Sequence, residues 1–163
     1  MDLPVITRLK KELADLKYEL TVKLPKELET ARAHGDLSEN AEWEAAKARQ
    51  DYVRSRIGLL EGRVRELSMY NVSSIPHDVV AYGSRVTVED DAGESIAYEI
   101  VFPEEVDAGR GQISLSSPIG RALMSKSVGD EVEVQTPGGR RTYQIMELVT
   151  YHELREQEGS QQS

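Results

Sequence analysis

Two apolar stripes at helical spacing, separated by only three residues, restrict what this chain can fold into more than any other feature. Ile6, Leu9, Leu13, Leu16, Leu20, Leu24 and Leu28 recur every three or four positions, which lines them up on one face of a helix running from residue 3 to about residue 33. After His34, Gly35 and Asp36 the pattern resumes with Leu37, Ala41, Ala45 and Ala48, then Val53, Ile57, Leu60, Val64 and Leu67. Two stripes joined by so short a bend can bury each other only by folding back, which predicts an antiparallel coiled-coil hairpin. At about 1.5 Å of rise per residue, arms of roughly 30 residues make a rod about 45 Å long. Pro4 suits an opening turn, whereas Pro25 lies inside the first helix, where its missing N–H predicts a kink near Leu24.

Beyond Tyr70 the period changes from that of a helix to that of a strand. The run NVSSIPHD reads as a linker, and short alternating segments rich in Val, Ile, Thr and Tyr follow it. Strands are predicted at 84–89, 95–101, 112–116, 131–136 and 140–148, with turns at 91–93 and 137–139. Ser117 and Pro118 cap and open a short helix expected over 119–126. The fold class is therefore α+β: a helical hairpin (residues 1–72), a linker (73–76), a small β-rich domain with one short helix (77–152) and a polar tail expected to be disordered (153–163).

Charge divides along the same line. The net charge is −9, yet residues 1–70 hold 13 Lys and Arg against 13 Asp and Glu, while the remainder holds 7 against 16. A neutral half can carry a basic face, whereas an acidic half repels a nucleic-acid backbone. With no cysteine the chain has neither disulfides nor thiolate metal sites. It has no apolar run near the ~20 residues of a membrane span and no secretory leader pattern, so no membrane partner and a cytoplasmic location are expected.

The segment ARAHGDLSENAEWEAAKARQ crowds Asp36, Ser38, Glu39, Asn40, Glu42 and Glu44 around the bend. One reading is structural: Gly35 ends a helix, and Asp36 and Glu39 have the capping-box spacing at the positive end of the next helix dipole. The other is that the carboxylates serve a hard cation, which takes oxygen ligands. Residue types alone leave both open.

The run GDLSENAEW resembles the signature GDLSENAEY of the Gre family of bacterial transcript-cleavage factors, and Leu37 after the tip aspartate resembles its GreA branch more than its GreB branch. The segments GSRVTVED, YEIV, ISLSSPIGRAL, VGDEVEVQTP and YQIMEL are similar to the family's C-terminal domain in the same order, so the resemblance spans about residues 3 to 150. It implies that the hairpin enters the secondary channel of RNA polymerase while an FKBP-like domain docks at the channel rim. It further implies that Asp36 and Glu39 are the catalytic pair, sharing a Mg²⁺ in the polymerase active site, and that backtracked RNA is cut near its 3′ end.

Two carboxylates are too few to hold Mg²⁺ tightly, so the isolated chain is expected to be inactive, to bind no metal tightly and to act as a cofactor of the polymerase rather than as an enzyme. Ser38 and Asn40 match signature positions and are expected to support the tip or to contact polymerase, with local hydrogen bonding as the alternative. Trp43 stands where the family has Tyr. Arg32 and Lys47 match the family's basic patch for the nascent RNA 3′ end, against the alternative of a solvated charged face continued by Arg49, Arg54 and Arg56. Glu42 and Glu44 read as solvated helix residues. Phe102 and Val106 depart from the family's small residues. The competing function is a channel-binding inhibitor without cleavage, and an isomerase built on the β domain is disfavoured because fold does not carry function. A monomer is expected, since a self-paired hairpin already accounts for the apolar stripes.

Overall fold

The computed structural model describes residues 3–161, with the side chains at 34 and 37–40 outside that description. The chain divides between Asn71 and Val72 into two compact units.

The first unit is the helical hairpin: α1 (Pro4–Tyr18), a π turn (Glu19–Lys23), α2 (Leu24–His34) and α3 (Leu37–Ser68). Both α1 and α2 pack against α3. Among the described residues the buried positions of α3 are Ala46, Val53, Leu60 and Leu67, a strict seven-residue repeat of the kind that keeps one seam facing a partner helix. On the opposing side Leu9, Leu24 and Ala31 are buried and Leu16 is half-buried. The steps there are seven, eight and seven. The one extra residue between Leu16 and Leu24 falls in the π turn, whose wider winding absorbs it and returns Leu24 to the seam. Leu24 N–H donates to Glu19 O, five residues back, and Pro25 follows at the opening of α2, where its missing donor costs least. Where the sequence predicts a kink near Leu24, the structure has a π turn over Glu19–Lys23.

Near the bend the stripe expected at Ala41, Ala45 and Ala48 is corrected. All three are exposed, and Ala46 is buried instead, because the seven-residue repeat counted back from Val53 reaches 46.

The second unit is a five-stranded sheet of order β3-β2-β1-β5-β4, from β1 (Arg85–Asp90), β2 (Ser95–Val101), β3 (Gln112–Ser114), β4 (Glu131–Thr136) and β5 (Gly139–Val149). All pairings are antiparallel except β2 with β3. Val86 and Val88 of β1, Ile100 of β2, Val132 and Val134 of β4, and Tyr143 and Ile145 of β5 form the core with Val80 and with Leu123 of the short helix α4 (Pro118–Leu123). The register of β1 against β5 shifts between Thr87 and Val88, leaving Met146 as the extra residue. Met146 and Glu147 are exposed in succession, and the inward phase moves from Tyr143 and Ile145 to Leu148, as a β-bulge requires.

Two expectations for this unit are corrected. The short helix stops at Leu123 rather than Lys126, because the next turn is taken by a tertiary pairing: Ser125 N–H donates to Val80 O and Val80 N–H to Lys126 O, both at 2.8 Å. Ser125 adopts φ +67° to make that exit. The tail expected to be disordered from Glu153 is instead helical, as α5 (Tyr151–Gln161). Thr150 and Glu153 form a capping box that nucleates it: Thr150 N–H donates to Glu153 Oε2 at 3.1 Å, and Glu153 N–H to Thr150 Oγ1 at 3.4 Å.

Candidate functional site: the hairpin tip

Helix α2 ends because Gly35 turns left-handed, φ +81° and ψ 14°, a conformation a side chain strains. A Cβ at Gly35 would meet nothing within 4 Å, so the requirement for glycine is purely torsional. Asp36 follows and is exposed, and α3 opens at Leu37. The two-residue connection therefore presents a carboxylate to solvent at the bend. The side-chain expectations for Ser38, Glu39 and Asn40 lie outside the described residues; their backbone forms the first turn of α3. Whether Glu39 closes a capping box with Asp36 falls outside the description with them.

Arg32, in the last turn of α2, is exposed, as are Glu42, Glu44 and Lys47 on α3. Trp43 is half-buried, with Lys47 Nζ 5.9 Å from its ring centroid, a cation–π approach one helical turn apart. An open groove of about 500 Å³ runs between α2 and α3, lined by Lys26, Glu27, Thr30, Glu42, Ala45, Ala46 and Arg49.

The structure separates the other basic residues from this end by giving them partners. Arg49 makes a bidentate pair with Glu19, Nε to Oε1 at 2.9 Å and Nη2 to Oε2 at 3.0 Å. That hydrogen bond holds the Glu19 carboxyl below its ordinary range against the opposing pull of desolvation, and attraction to Arg49 and Lys23 adds to it. Arg56 reaches Glu12 at 3.0 Å, and Arg54 lies 4.0 Å from Asp51 on the same helix. Glu12 and Glu19 are seven residues apart, as are Arg49 and Arg56, so the two cross-hairpin pairs repeat with the heptad and fix its antiparallel register. No motif announces these pairs: the spacing of seven is visible in both helices, but which glutamate meets which arginine is set only when the helices pack.

For a metal, Asp36 offers the hard oxygen chemistry that Mg²⁺ takes, and Glu39 would add a second carboxylate. Among the described residues no group of three or more Asp, Glu, His or Cys could hold an ion. No described helix is long and apolar enough to cross a membrane.

In the second unit Phe102 is buried and stacks on Tyr82 with centroids 4.4 Å apart, while the Tyr82 hydroxyl donates to Glu105 at 2.9 Å. Burial, reinforced by the Glu105 carboxylate, pushes the Tyr82 phenol well above its ordinary value.

Fold and tip define a class: a protein that presents an acidic turn on a helical hairpin and carries a separate mainly antiparallel sheet unit. Residues 5–68 match the family description "Transcription elongation factor, N-terminal", and residues 75–150 match "Transcription elongation factor, GreA/GreB, C-term". The chain belongs to the GreA/GreB family of transcription elongation factors. It is 41% identical to transcription elongation factor GreA of Rickettsia bellii, over 90% of this chain and 91% of that protein. To the GreA of Anaeromyxobacter it is 42% identical, over 91% and 90%. The GreA factor homolog 1 of Thermus thermophilus aligns over 89% of this chain and 94% of its own at 28% identity, with a TM-score of 0.41.

Proposed function

We propose that the chain stimulates transcript cleavage by bacterial RNA polymerase, passing its hairpin into the secondary channel so that Asp36 and Glu39 reach the polymerase active site. The observation that carries this reading is the exposed Asp36 at the two-residue bend, set there by left-handed Gly35 within the run GDLSENAEW. Asp36 and Glu39 would hold a Mg²⁺ jointly with carboxylates of the polymerase. When bound there, the ion supplies charge stabilisation to the attacking and leaving oxygens of phosphodiester hydrolysis. The two tip carboxylates orient the water and accept its proton, while Arg32 and Lys47 attract the phosphates of the extruded RNA 3′ end. Ser38 and Asn40 position the turn against the polymerase. Two tip carboxylates are too few to hold Mg²⁺ tightly, so on this reading the chain acts as a cofactor of the polymerase and not as an enzyme.

RNA release from purified, backtracked elongation complexes in Mg²⁺ tests the reading. The wild-type chain is expected to shorten the RNA from its 3′ end and restore elongation. Asp36→Ala and Glu39→Ala are each expected to slow release by about 100-fold or more while still competing with the wild type for polymerase. A wild-type chain that binds and slows polymerase without shortening the RNA would replace this reading with that of a channel-binding inhibitor.

A further inference from the structure

The family match ends at residue 150, and α5 begins at Tyr151. Only its first turn engages the domain, since residues 155–161 are all exposed. That turn is heavily anchored. Thr150, 1% exposed, caps it through the reciprocal bonds with Glu153. The Tyr151 ring lies so close over Gly83 that a Cβ there would come within 2.5 Å of it, and Tyr82 packs beside it at 6.1 Å between centroids. The Arg155 guanidinium covers the same Tyr151 ring at 4.8 Å.

His152 reaches in a different direction, toward the segment that follows the division between the two units. Its Nε2 lies 2.9 Å from Ile75 O, a bond in which the ring N–H donates, and its ring stacks on His77 with centroids 4.0 Å apart and planes 17° from parallel. Ile75 is buried although its segment has no strand or α-helix of its own, only a short 3₁₀ turn at Val72–Ser74. We propose that α5 is a strap: through Tyr151 it is fixed to the sheet unit, and through His152 it ties down residues 75–77, limiting the motion of the chain that joins the two units. This inference is independent of any role of the tip in cleavage.

Hydrogen exchange on the full chain tests it, comparing wild type with His152→Ala and with a chain ending at Thr150. Amides in residues 72–79 are expected to exchange about fivefold faster in both variants, the loss of one hydrogen bond and a ring contact, while those of β1 and β5 change less than twofold. Unchanged exchange in 72–79 in His152→Ala would overturn the strap. Loss of protection in β1 and β5 in His152→Ala would also overturn it, because α5 would then be part of the core. If the shortened chain fails to fold, His152→Ala, which keeps the Tyr151 anchor and the capping box, decides alone.

Discussion

Glycines show how differently one residue type is used here. Gly120 sits inside α4 so close to β3 that a Cβ would collide with the Ser114 carbonyl oxygen, and the Ser117 hydroxyl both caps Gly120 N–H and donates to that same carbonyl. Backbone cannot retreat as a flexible side chain can. Gly120→Ala is therefore expected to destabilise by about 3 kcal/mol in urea unfolding. Gly58, exposed in the middle of α3 with nothing within 4 Å of its would-be Cβ, is the opposite case. Gly58→Ala is expected to stabilise by about 0.5–1 kcal/mol in the same assay, from helix propensity alone. Equal effects of the two substitutions would refute the packing account of Gly120. In the sequence the two glycines look alike, because the neighbour that distinguishes them comes from another element. Gly35 was legible, since a helix end requires a left-handed residue wherever the rest of the chain lies.

Among the elements, the hairpin was read from periodicity and corrected by it. Counting apolar residues every three or four positions found both arms but misplaced the seam near the bend, where Ala45, Ala46 and Ala48 are equally small and only continuity with Val53 selects Ala46. The π turn is encoded in the eight-residue step from Leu16 to Leu24, whereas Pro25 alone predicts only a kink near Leu24. The bidentate Glu19–Arg49 pair should make the hairpin acid-sensitive. Because Arg49 lowers the Glu19 pKa in the folded state, the stabilisation is present above the ordinary carboxylate value of 4.5 and is lost as pH falls through the lowered value. Glu19→Gln is accordingly expected to lower Tm by about 2–4 °C at neutral pH, a modest effect because both side chains keep contact with solvent. Thermal melts of helical circular dichroism should show the gap closing below pH 4.5; a gap constant with pH would mean that Glu19 acts through packing alone. Helix α5 carried a signal that composition outweighed: Thr150, Tyr151, His152 and Glu153 spell a capping box at the head of a polar segment.

The division into two units follows from two incompatible periods, 3.5 residues in the hairpin and 2 in the sheet, each closing its own apolar face. The sheet unit has a nine-residue core drawn from four strands, α4 and Val80. Residues 72–163 made separately are expected to unfold in one cooperative thermal transition, and a broad, non-cooperative melt would show that this core depends on the hairpin. Hairpin, strands, turns, the Gly35 bend and the acidic tip motif could all be read from the chain before folding, because each depends on local spacing or on one residue's torsional freedom. Sheet order, the bulge at Met146, the early end of α4, the pairing of Arg49 and Arg56, and the docking of His152 on residues 75–77 could not. Each joins residues distant in sequence, and which of many possible partners a side chain meets is set only when the elements pack.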